Sequence, residues 1–64
     1  GSQKFAFNAK VLEIKKRDAI FVASVLINRQ ICEVVLSSAE ASGLRAGDTV
    51  VVSTKAFGVN LVKA

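Results

Sequence analysis

Lys55 ends a β-branched run, Thr49-Val50-Val51-Val52-Ser53-Thr54, and is followed by Ala56-Phe57-Gly58. A lysine at a strand end is a compact point charge with three donors on a flexible stem. Set beside open backbone N–H groups, it suits holding a small anion better than it suits catalysis. Upstream, Ser37-Ser38-Ala39-Glu40 has the spacing of a capping box, in which one hydroxyl and one carboxylate satisfy the first N–H groups of a helix. Of the two serines, the one that does not cap is free to bind a ligand, and a helix start favours anions through its unpaired N–H groups.

The remaining side chains argue against an enzyme. The chain has no histidine. Its acidic residues, Glu13, Asp18, Glu33, Glu40 and Asp48, are scattered and offer no matched acid and base. Cys32, between Ile31 and Glu33, reads as a small buried hydrophobe. One cysteine permits no intrachain disulfide, and without histidine it builds no zinc site. A free thiol fits a reducing compartment. No metal and no organic cofactor is expected.

These residues must be positioned by very little chain. Sixty-four residues make one domain. A chain of that size buries about 60% of the surface its unfolded form exposes, so it needs a tight core or a partner. A hydrophobic content of 52% leans toward a partner surface. No apolar run approaches the ~20 residues of a membrane span, and the opening GSQKFAFN lacks a secretory apolar core. The expectation is therefore a cytoplasmic domain with no membrane partner. Gly1-Ser2 reads as a tag remnant, leaving residues 3–64 as the domain. Net charge is +4. Its one cluster, Lys15-Lys16-Arg17, is either a solvated hairpin tip or a footprint for anions or nucleic acid.

Periodicity predicts five strands. The first runs from Phe5 to Lys15, with Phe5, Phe7, Ala9 and Val11 on one face and Lys10, Leu12 and Ile14 on the other. Lys16-Arg17-Asp18 breaks the pattern as a hairpin tip. Ala19–Ile27 is the second strand, Asn28-Arg29 a tight turn and Gln30–Leu36 the third strand. A helix of barely two turns follows, with Gly43 as a left-handed C-terminal cap and Leu44 packed beneath it. Arg45-Ala46-Gly47-Asp48 is a turn, Thr49–Lys55 the fourth strand and Val59–Val62 the fifth. The expected fold is all-β: a small five-stranded OB-like Greek-key barrel with one short helix between strands three and four.

Two strands are apolar on both faces. The second carries Ile20, Val22 and Leu26 on one face and Phe21, Ala23, Val25 and Ile27 on the other. The fourth sets Val50 and Val52 against Val51. A sheet wetted on one side alternates apolar with polar residues, so these strands imply cover from a second subunit or a parent-protein domain.

The pattern Asn8-Ala9-Lys10-Val11-Leu12-Glu13-Ile14, then Leu36-Ser37-Ser38-Ala39-Glu40, then Ser42-Gly43-Leu44-Arg45-Ala46-Gly47-Asp48, then Val50 through Leu61 resembles the Mop or TOBE (transport-associated OB) domain of the molbindins over about the full length. That resemblance implies binding of molybdate or tungstate between subunits, in a free oligomeric binding protein, a regulator, or the ATPase of an oxyanion importer. It implies that Lys55 takes the place of the family lysine and Ser38 that of the helix-start serine, with Lys4 near the place of an arginine. Ala56 and Phe57 stand where the family has Ser and Thr, so they would serve through backbone N–H groups. Phe5 stands where Asn is usual.

Two other functions are open to such a chain. One is a structural or dimerisation accessory domain of an importer ATPase or regulator, without a ligand. The other is nucleic-acid binding of the OB kind, which needs aromatics stacked along a basic groove. There is no Trp or Tyr here, and Phe5 and Phe7 look like first-strand packing.

Overall fold

The computed structural model describes residues 5–55 and 58–64, and for Lys55 the backbone alone. The elements are β1 (Ala6–Arg17), β2 (Ile20–Ile27), β3 (Gln30–Leu36), α1 (Ser38–Ser42), β4 (Thr49–Lys55) and β5 (Gly58–Lys63). The sheet order is β3-β2-β1-β4-β5, and every ladder is antiparallel. Three hairpin-linked strands with the fourth returning beside the first make a Greek key. The fold is all-β and OB-like, with the one short helix between β3 and β4. The OB-like sheet is not closed. β2 flanks the C-terminal half of β1 and β4 its N-terminal half, which leaves β3 and β5 as the two edges, and no ladder joins these edges among the described residues.

Each turn follows from its residues. Arg17 pairs with Ile20 and Ile27 with Gln30, so both hairpin loops are two residues long. Asp18 (φ 53°) and Asn28 (φ 57°) lead them in the left-handed region, which Asn and Asp tolerate better than other non-glycine residues. The first tip is thus Asp18-Ala19, one residue beyond the expected centre. In the turn before β4, Asp48 N donates to Arg45 O (3.1 Å) and Arg45 N to Asp48 Oδ2 (2.9 Å). Gly47, at φ 95°, supplies the positive angle that a type II turn requires at its third position.

β1 departs from a plain alternation. Val11 pairs with Val25 but Glu13 with Ser24, so Leu12 is an extra residue, a β-bulge. The bulge reverses the parity of everything after it. Ile14, expected on the face of Lys10, instead packs against the core with Ala9 and Val11. Leu12 is left exposed.

The core is one apolar cluster. Val11, Val25 and Val50 are its largest fully buried side chains. Leu36, Val34, Val52 and Leu61 extend it, and Ala41 and Leu44 close one side from α1 and the residues just after it. Leu44 therefore packs as its position under the helix predicts.

Candidate functional site

Ser37 is the N-cap. Its Oγ accepts from Glu40 N at 3.1 Å, and its own N–H donates to Glu40 Oε1 at 2.9 Å. Ser38, the first helical residue, is exposed, and its hydroxyl has no hydrogen bond among the described residues. Of the two serines, Ser37 is therefore the one that caps. The helix itself contributes little: α1 has five residues, two of the donors at its start are spent inside the box, and Glu40 adds a carboxylate there. Gly43 caps at φ −92°, ψ 1°, not in the expected left-handed conformation. The chain leaves the helix instead by a bond from Leu44 N to Ala41 O (3.1 Å).

Lys55 closes β4 and pairs with Gly58 of β5. Beside it, Thr54 N donates to Phe5 O at 2.9 Å. Lys4, Ala56 and Phe57 lie outside the described residues. Within one chain the ladders set Ser38 and Lys55 at opposite ends of β1. Lys55 follows Thr54, which faces Phe5. Ser38 follows Leu36, which reaches Lys16 through Phe21. Phe5 and Lys16 span roughly 36 Å of strand at ~3.3 Å per residue, less the shortening by twist. A single copy therefore does not bring these two residues together.

No cluster of metal-ligating side chains and no enclosed pocket is found among the described residues. Lys15 is ion-paired with Glu13 and Lys63 with Asp48, each at 3.6 Å. These are exposed pairs of small energetic weight.

The aromatic residues lie where the sequence did not place them. Phe5 is 55% and Phe7 43% exposed. They are not internal packing of the first strand. Lys15, Lys16 and Arg17 sit at the far end of β1 from them, and Lys10 turns to the opposite face from Phe7. No basic groove lined by aromatics is present among the described residues. The signal for this exposure was non-local: the ladder of β1 with β2 begins only at Lys10, so among the described residues β2 does not flank Phe5 and Phe7.

The doubly apolar strands keep a bare side. The face away from the core carries Val22 opposite Val35 and Leu26 opposite Ile31, with Ile31 65% and Val35 63% exposed. No helix is long and apolar enough to cross a membrane among the described residues. Comparison with known protein families, with curated proteins and with solved structures found no match.

Proposed function

We propose that this domain binds a tetrahedral oxyanion, molybdate or tungstate, at an interface between subunits, in cytoplasmic molybdenum homeostasis, transport or regulation. The observation that carries the reading is the placement of the resembling residues: Lys55 at the C-terminal end of β4, and a Ser38 hydroxyl released because Ser37 does the capping. Lys55 supplies charge, Ser38 a hydroxyl donor, Ala56 and Phe57 backbone N–H groups, and Lys4 a peripheral cation. Charge-assisted hydrogen bonds of this kind are about twice as strong as neutral ones. Because Ser38 and Lys55 stand at opposite ends of β1, a site using both takes them from two copies. The outward pairs Val22/Val35 and Leu26/Ile31, with Val35 and Ile31 exposed and Val22 and Leu26 half-buried, supply apolar surface for such an association.

A second reading has its own support. The spent donors of the capping box, the Glu40 carboxylate and the bare outer face also suit a module that mediates contacts and binds no ligand. An amide-shift titration with molybdate, with sulfate as control, separates the two. Saturable shifts at Ser38 and at Lys55–Gly58 with molybdate alone support the anion site. Their absence up to millimolar ligand leaves the structural module.

A further inference from the structure

We infer that the N-terminal half of β1 is a self-pairing edge, onto which a second copy of this chain adds the same segment as an antiparallel strand. The inference rests on the self-association part of the reading above and is independent of the anion.

Peptide groups along an antiparallel strand turn to its two flanks alternately. Thr54 N donates to Phe5 O and Val11 N donates to Asp48 O, each at 2.9 Å. Phe5, Phe7, Ala9 and Val11 therefore turn their peptide groups toward β4. Ala6, Asn8 and Lys10 turn theirs to the other flank. There Lys10 meets Leu26, where the ladder with β2 begins. Ala6 and Asn8 meet no strand among the described residues.

This edge lacks the usual protection. Exposed edges are normally blunted by charge, proline or cover. The edge strand β3 carries the exposed Glu33, and the edge strand β5 the exposed Lys63. Phe5-Ala6-Phe7-Asn8-Ala9 has neither charge nor proline.

A second copy is the occupant that the register fits. Setting Ala6 against Asn8 of the other copy, and Asn8 against its Ala6, uses all the outward peptide groups of both residues about a two-fold axis. The residues meeting on that axis are the two Phe7, as a non-hydrogen-bonded pair in which side chains approach most closely. Phe5 then comes alongside Ala9 of the other copy at the end of its β2, where Ile27 follows Leu26. Both phenylalanines, exposed in the single chain, gain apolar neighbours on the core side. The contact is isologous, so it closes at a dimer and leaves no unpaired β1 segment to add a third copy.

Asn8→Pro tests this selectively. It removes an N–H that faces away from β4, a position where an edge strand tolerates proline. By sedimentation velocity over a micromolar range, the unaltered chain should dimerise with rising concentration. N8P should raise the dissociation constant at least tenfold with an unchanged far-ultraviolet circular dichroism spectrum. Amide exchange of the unaltered dimer should show Ala6 and Asn8 protected along with Phe7 and Ala9. That measurement decides the matter even if N8P does not fold. A monomer at high micromolar concentration, a dimer indifferent to N8P but dissolved by Ile31→Lys, or fast exchange at Ala6 and Asn8 in the dimer overturns the inference. A dimer that N8P dissolves but that binds no molybdate sustains the inference and removes the anion reading.

Discussion

Val11 faces Val25 across the β1–β2 ladder, immediately before the bulge at Leu12, and the two are 1% and 0% exposed. That contact fixes where the sheet changes parity. Truncating either side chain leaves a void that neighbouring strands fill poorly. We expect Val25→Ala to cost about 2 kcal/mol. In a domain this small that lowers the melting temperature by roughly 10 °C, which thermal unfolding followed by circular dichroism would show.

The capping box separates two adjacent serines. Ser37→Ala removes the acceptor for Glu40 N and should cost about 1 kcal/mol. Ser38→Ala, at an exposed position, should stay within about 0.5 kcal/mol. Urea denaturation of the two variants reads the difference directly. Equal losses would mean that Ser38 shares the cap.

Backbone angles, not side-chain contacts, decide the turn substitutions. Gly47 at φ 95° should resist replacement, Gly47→Ala costing about 1 kcal/mol or more. Gly43 has an ordinary φ, and a Cβ there would come no closer than 3.9 Å to Glu40 O. Gly43→Ala should therefore be neutral or stabilising by up to about 1 kcal/mol. Asn28→Gly should be tolerated, whereas Asn28→Val should cost about 1–2 kcal/mol at φ 57°. Chemical denaturation midpoints order the four variants.

For the proposed anion site, Lys55→Ala should weaken molybdate binding about tenfold or more, the scale of one charge-assisted hydrogen bond. The melting temperature without ligand should hardly move. Calorimetric titration of molybdate into the two proteins measures the first, and an unchanged affinity would take Lys55 out of the site.

The sequence by itself determined the elements and their order. β-branched runs broken at Lys16-Arg17-Asp18, Asn28-Arg29 and Arg45–Asp48 left only short antiparallel strands, and Ser37 with Glu40 marked the one helix. These signals are local, carried by propensity, turn chemistry and caps within a few residues. They also single out Lys55 and Ser38 as candidates, one at the end of a strand and the other at the start of the helix. The tertiary structure decided what depends on registers between distant strands. The bulge at Leu12 is visible only in the ladder with β2, and it alone moves Ile14 onto the core face. Phe5 and Phe7 share the parity of Ala9 and Val11 yet stay exposed, because β2 joins β1 no earlier than Lys10 and none of the other described residues covers them. The separation of Ser38 from Lys55 has the same origin. Two residues near the ends of consecutive elements become distant or adjacent according to how the ladders are staggered, and no short window of sequence contains that stagger.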